Sequence, residues 1–478
     1  MTETAIAIPG LDWARLEQGS TARQEPHWLR ELRRSAYLLL QETPQPTGRG
    51  IDLRFLPGVG AAGTEEVFRA EMRQAEKPVG GQPAQAGEVA SGAVESLLVA
   101  AAAEMPLVLV RDGKPVEGAE LPPQMVLAEL GEAARQYPDL VRPYLFSSAL
   151  KLSGPEGEDG FYLSLQAALW DRGLFLHLPA GVQAKVPLGV LQPVAAFGRP
   201  AFRHVLVVLE EGAELDLLEE AVGGAPLGSA TLDNAALGST APGGGDEDRS
   251  SRPFLGQSWE IVVKEGAKLR LGLVQNLAGE AYAFRYGRAL LEKDASLEVF
   301  AVEVGGRWSR LQFGTELAGQ GAGVNAYGLF LGTARQSYRL DLAHVHRGEH
   351  TRSDMNVRGV LRDRAYAWVR GLGHIHFGAQ GASSYQRTDT LLLSKTARAD
   401  TVPSLKIDED DVRAGHGAAV GQVDEDALFY LMSRGLSNVQ ATRLIVEGFL
   451  QSLLEKTTVP GMAGMVGLAA LKKIESRA

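Results

Sequence analysis

Between residues 211 and 324 one short pattern returns at a nearly fixed step. A turn residue, a small residue and then alternating apolar residues occur at Glu211-Gly212-Ala213-Glu214-Leu215, Glu265-Gly266-Ala267-Lys268-Leu269, Lys293-Asp294-Ala295-Ser296-Leu297 and Gln320-Gly321-Ala322-Gly323-Val324. Ala267 to Ala295 is 28 residues, and Ala295 to Ala322 is 27. Ala213 to Ala267 is 54, but a Gly/Ala/Ser/Asp-rich stretch, roughly Gly223 to Arg252, falls inside that interval; its removal restores a similar step. Leu178-Pro179-Ala180-Gly181-Val182 reads as an earlier corner, and the pattern is expected from Phe161 onward. A fixed step of strands and sharp turns means stacked coils sharing one core. A propeller blade needs about 40 residues, so this step is too short for one. No long helix separates the strands, which argues against a crossover sheet. The expected fold is mainly β, a β-helix.

Both flanks read as helical. Residues 26–42 place Trp28, Leu29, Leu32, Ala36, Leu39 and Leu40 on one apolar face, with Pro26 in the first turn and Pro44 and Pro46 beyond the end. Arg30, Arg33 and Arg34 form a basic stripe, read as a solvated face. A candidate helix near Thr64 to Lys77 precedes a linker marked by Gly80, Gly81 and Pro83. The first β structure is expected at Leu107–Val110, with a helix near Pro122 to Gln136. In the tail, Asp424 can cap a helix that stops at Gly435, and Ser437 with Gln440 forms a capping box. The next helix carries Ala441, Leu444, Ile445, Gly448, Phe449 and Leu453 on one face, and the tail could cap the end of the solenoid. The expected division is residues 1–95 (helical region and linker), 96–418 (β-helix core with a loop near 223–252) and 419–478 (helical domain).

A net charge of −10 argues against sequence-independent binding of nucleic acid and, more weakly, against an anionic membrane surface. The chain has no cysteine, which excludes disulfides and every site built on its own thiolates. The start, MTETAIAIPGLDW, lacks a basic region followed by an apolar one, and no apolar run approaches the roughly 18 residues of a membrane span. A cytoplasmic location is expected.

Six of the nine histidines lie between His344 and His416. His344 and His346 share one side of a strand, as do His374 and His376. The pairs are 30 residues apart, so they are expected to stack on one face as candidate metal ligands, with His350 and His416 nearby. The more ordinary reading is a hydrogen-bonded side-chain ladder. A metal enzyme built on these four histidines is one functional alternative. A polysaccharide-active solenoid enzyme using paired carboxylates is another.

The segment from Thr401 to Gly435 joins the β region to the helical tail. It holds Pro403-x-Leu405-x-Ile407, Asp410-Asp411-Val412, His416-Gly417-Ala418, Val420-Gly421, Leu428-Phe429-Tyr430-Leu431 and Ser433-Arg434-Gly435. His416 stands between two glycines, either presented by them or held in a tight turn. In this order the motifs resemble the SufB/SufD family of iron–sulfur cluster assembly proteins, and the His-Gly-Ala form resembles its SufD branch. Thr351-x-Ser353, Gly359-Val360-Leu361, Tyr385-Gln386, Leu391-Leu392-Leu393-Ser394 and Ala399-Asp400 extend the likeness, as does Glu25-Pro26-x-Trp28-Leu29 at the front.

The resemblance implies a right-handed parallel β-helix between helical regions, and a scaffold that is not itself an enzyme. It implies a SufB-like paralogue paired near the C-terminal end of the β-helix. It also implies a SufC-like ATPase docked on the tail from Asp424 to Lys456, with Leu428, Tyr430, Arg434, Leu444 and Phe449 as candidate contacts. A nascent iron–sulfur cluster would be shared transiently with the SufB-like subunit at His416, and no cofactor would be held stably by the isolated chain, which could form a homodimer. Many members carry a cysteine two positions before that histidine, where this chain has Ala414. Imidazole can replace some thiolate ligands of a cluster. A chain without cysteine could therefore give a nitrogen to a cluster whose sulfur ligands come from a partner.

Overall fold

The repeating corners are where the chain turns between two sheets. The computed structural model describes residues 11–43, 96–111, 114–115, 121–147, 157–194, 200–223 and 253–475. Its strands are β1 (Val108–Arg111), β2 (Lys114–Pro115), β3 (Val126–Glu129), β4 (Arg172–Leu178), β5 (Leu188–Val194), β6 (Ala201–Leu209), β7 (Glu214–Gly223), β8 (Phe254–Val263), β9 (Lys268–Leu277), β10 (Tyr282–Leu291), β11 (Ser296–Glu303), β12 (Trp308–Leu317), β13 (Gly323–Gly332), β14 (Ser337–His346), β15 (Arg352–Leu361), β16 (Tyr366–Ile375), β17 (Ser383–Leu392), β18 (Arg398–Ile407) and β19 (Arg413–Gln422). From β4 onward each strand pairs in parallel with the strand two later, so odd and even strands build two facing sheets. This is a parallel β-helix. Lys268 pairs with Ser296, 28 positions on, and with Glu214, 54 positions back. The stretch between β7 and β8 is thus an insertion into one coil.

The corners form a column of their own. Gly181, Gly212, Gly266, Asp294, Gly321, His350 and Gly381 all have positive φ, from 54° to 75°. Each of these donates its N–H to a carbonyl of the next coil's corner at 2.7–2.9 Å. The left-handed conformation favours glycine and tolerates Asp, which explains the turn residue of the repeat. The small residue after it (Ala213, Ala267, Ala295, Ala322) is fully enclosed between coils.

Inward side chains of both sheets form the main core, from Val108 to Ala397. It also holds a polar seam: Arg285 Nη1 lies 2.7 Å from Glu303, and Trp259 Nε1 donates to Glu219 at 2.7 Å. Two further cores lie outside the coils. Helices α1 (Trp13–Ala22), α2 (His27–Glu42), α3 (Leu97–Ala102), α4 (Leu130–Gln136), α5 (Pro138–Val141), α6 (Gly157–Leu169), α7 (Glu425–Ser433), α8 (Asn438–Leu454) and α9 (Met462–Glu475) complete the described elements. Leu29, Ala36 and Leu40 of α2, with α6, cover the even-strand sheet at Phe175, Phe202, Phe254 and Phe284. Val446, Leu450 and Leu453 of α8 and Met462 and Val466 of α9, with α3, cover the odd-strand sheet at Val274, Phe300 and Leu329.

Several expectations change. Phe161 lies in α6, and the repeating strands begin at Arg172. The Pro122–Gln136 segment divides into β3 and α4. Arg33 is buried rather than solvated, because Glu25 neutralises it. The tail caps and the Ser437 capping box form. However, Leu444 points to solvent and Val446 and Leu450 turn inward. The tail also lies along a sheet face instead of closing the end of the solenoid, since its apolar side matches the outward apolar residues there. The Thr64–Lys77 helix, its linker, Pro44 and Pro46, and the 224–252 loop lie outside the described residues. Among the described residues no helix is long and apolar enough to cross a membrane.

The two ends of the solenoid differ. At the N-terminal end the outermost strands are the short β2 and β3, paired antiparallel to β1 and β4. Short, reversed edges resist further pairing. At the C-terminal end the outermost strands are β18 and β19, ten residues each and parallel to the coil beneath.

Candidate functional site: the open last coil

Register decides which side chains line the last coil, because directly paired parallel neighbours point the same way. Gln386 of β17 points inward, since its Nε2 reaches across to the Ser404 carbonyl of β18 at 3.0 Å. His416 pairs with Gln386, so it faces the same interior, as do Ala414 and Ala418 beside Ser384 and Thr388. On β18, Ile407 lies beside the buried Ile375, and Leu405 lies beside Gly373. A side chain at Gly373 would meet Leu405 and Gln386, so Leu405 and its alternate neighbours Thr401 and Pro403 also face in.

The Pro-x-Leu-x-Ile and His-Gly-Ala motifs therefore form the two inner walls of one coil. Among the described residues no further coil lies over them. His416 is exposed, and Ile407 and Val420 keep 45% and 43% of their surface. His416 sits mid-strand, not in a tight turn, and its neighbours Gly415 and Gly417 face the opposite side of the sheet. Gln386 Oε1 directly beneath His416, and Thr401 Oγ1 on the opposite wall, are buried with no hydrogen-bond partner among the described residues. Buried polar atoms usually find one.

The other histidines do not form the expected stack. His344 pairs with Gly373, and His374 pairs with Val345. The strands align at 29 residues rather than 30, and a one-residue offset puts the two pairs on opposite faces of the sheet. His344 and His346 are buried inside the coils. His346 bonds Thr351 Oγ1 at 2.8 Å and Ser353 Oγ at 2.9 Å. Burial pulls its pKa down to about 4, and burial with His346 beside it takes His344 to about 3. His350 occupies the corner column. His374 and His376 lie outside the coils with their rings stacked 3.8 Å apart, and His374 Nε2 is 2.9 Å from Asp408 Oδ2.

Of the candidate contacts in the tail, Tyr430, Arg434 and Leu444 are exposed and Leu428 is half-buried. Arg434 lies over the Tyr430 ring at 5.1 Å. Phe449 is half-buried under Arg358, whose Nη1 donates to the Phe449 carbonyl at 2.9 Å. Sequence reading missed Phe429, the most exposed aromatic of α7 at 74%. Its neighbours in the motif gave no reason to choose it over Leu428 or Tyr430.

Residues 194–449 match the family model described as SUF system FeS cluster assembly, SufBD core domain. That is more than half of the chain, and it includes both walls of the last coil.

The chain belongs to the SufB/SufD family.

Its relatives include the iron–sulfur cluster assembly protein SufD of Bacillus subtilis (strain 168), 26% identical over 458 residues and 95% of each chain. SufB of the same organism is 27% identical over 293 residues, 61% of this chain and 58% of that one. A SufBD family protein of Synechocystis is 25% identical over 356 residues, 73% and 68% of the two chains. The SufB/SufD membership and the parallel β-helix agree. The Glu25-Pro26-x-Trp28-Leu29 motif gains a physical reason too, because Glu25 is the buried partner of Arg33.

Proposed function

We propose that this chain is the SufD-type scaffold of a SufBCD-type iron–sulfur cluster assembly complex, working in the cytoplasm and without enzymatic activity of its own. The supporting observation is the unfinished last coil. Two ten-residue strands that are outermost among the described strands, with apolar inner walls, are a template for another chain's strands. A SufB-like paralogue is the partner that the family supplies. His416 on that edge would offer an imidazole nitrogen to the nascent cluster, the complex's cargo. With no cysteine in the chain, the sulfur ligands would come from the partner. The exposed face of the tail, with Tyr430, Arg434, Leu444 and Phe429, and with Leu428 and Phe449 behind it, would dock a SufC-like ATPase. Family membership supports this reading over a polysaccharide-cleaving one.

Co-purification with a SufB-like and a SufC-like subunit tests this, with His416→Ala as the probe. The expected result is an intact complex that no longer builds a cluster. A His416→Ala complex that assembles clusters at the unaltered rate would refute the role of His416. Failure to capture a SufB-like partner would refute the scaffold itself.

A further inference from the structure

A second set of ligands stands on the outer face of the even-strand sheet, next to the last coil. The register creates it. Ile375 pairs with Ile407, and Asp408 continues the ladder by donating its N–H to the Ile375 carbonyl at 2.8 Å. Asp408 thus follows β18 as His376 follows β16. Both point opposite to the buried Ile375, as does His374 two residues before His376. The coordinating atoms of all three residues lie within 4.8 Å of one another. His374 and Asp408 are already at 2.9 Å, and the two imidazoles are stacked. Ligands about 2.1 Å from one ion stand about 3 Å apart, so side-chain rotation alone would close the set.

We propose that His374, His376 and Asp408 form a resident binding site for a divalent first-row transition ion, separate from His416. Two imidazoles and one carboxylate on a single face leave further coordination positions open to water, the pattern that suits Fe(II) and Zn(II). The surroundings fit such a cation. Glu409 is held by the N–H groups of Gly378 and Asp410, and Asp410 and Asp411 follow it in the same turn. Lys406 Nζ, 3.5 Å from Asp408, is the competing cation, but it sits on a largely exposed side chain free to swing away. Arg347, a cation of the coil below whose charge reaches His376, is engaged by Glu316 at 2.6 Å. None of the three ligands lies on the inner walls of the open coil, so the site stands or falls independently of cluster assembly at His416.

The test is titration of the full chain with Co(II) and Zn(II), and with Fe(II) under anaerobic conditions. Heat and the visible band of bound Co(II) are the readouts. One equivalent should bind. His374→Ala, His376→Ala and Asp408→Asn should each weaken binding by about tenfold or more, with unchanged thermal unfolding of the metal-free chain. His416→Ala should bind as the parent does, so loss of cluster assembly in that variant and loss of this site are read separately. Absence of saturable binding, or binding that survives the combined loss of His376 and Asp408, would overturn the proposal.

Discussion

Arg33 holds Glu25 through two parallel hydrogen bonds of 2.8 Å, with both side chains only 1% exposed. Arg33 also lies over the Trp170 ring at 4.2 Å and donates to the Ala168 carbonyl at 3.1 Å. The pair therefore fastens α2 to the end of α6. Glu25→Ala would leave a buried guanidinium without its counter-charge. It should cost about 3–5 kcal/mol, seen as a lower midpoint in thermal or denaturant unfolding. An unchanged midpoint would mean that the N-terminal helices melt separately from the coils.

Acid should weaken the fold in two stages. His344 and His346 are kept neutral by burial, at about 3 and 4 against an ordinary 6.5. Their contribution is complete above the ordinary value and is lost as pH falls below it, because the unfolded chain takes up protons first. Burial would raise the Glu25 carboxyl, but Arg33, Arg23 and Ser20 outweigh it and hold Glu25 at about 2 against 4.5. Its share is complete above 4.5 and is lost between there and about 2. His344→Leu, placed among Leu340 and Leu342, should flatten the first stage. Unfolding midpoints at pH 5 and pH 8 measure the difference.

The corner column predicts an order among substitutions at Gly266. A side chain there meets nothing within 4 Å, so only the backbone resists it, at φ +67°. Asp294 occupies the same position one coil on. Gly266→Asn should therefore be tolerated better than Gly266→Ala, and Gly266→Val least of all, over a range of about 1–2 kcal/mol. Chemical denaturation would rank them.

A charge placed on the open inner wall should separate folding from pairing. Ile407→Lys sits at a half-exposed position in the last strand of its sheet. Stability of the isolated chain should stay within about 0.5 kcal/mol. Capture of a SufB-like partner should fall by about tenfold or more. A variant that still pairs normally would place the partner elsewhere.

On the tail, Phe429→Ser should leave thermal unfolding unchanged, since α7 buries none of its side chains. Pull-down of a SufC-like ATPase should drop by about tenfold or more. A fall in unfolding temperature instead would assign Phe429 to packing.

The coils were legible because their cause is local. Most of the left-handed corners take Gly or Asp, the enclosed position after them takes a small residue, and both recur at one step. The Asp424 and Ser437 caps were legible for the same reason. Properties that depend on register were not. The 30-residue spacing of His344 and His374 suggested one face, yet the strands align at 29. Asp408 joins His374 and His376 only through the pairing of Ile375 with Ile407. Arg33 looked like part of a solvated stripe, because its partner Glu25 lies before the helix begins. In α8 the sequence placed Leu444 inside, and the choice between it and Val446 rests on the sheet face beneath.

The contrast between the blunted start of the solenoid and its bare finish limits how many subunits can join end to end. If a partner pairs at that finish as proposed, a single adhesive terminus among the described residues stops association at two and excludes a runaway fibre. Two identical chains and a chain with its paralogue would also compete for the same terminus. Any self-paired form would then be a reservoir that must dissociate before the working heterodimer can be made.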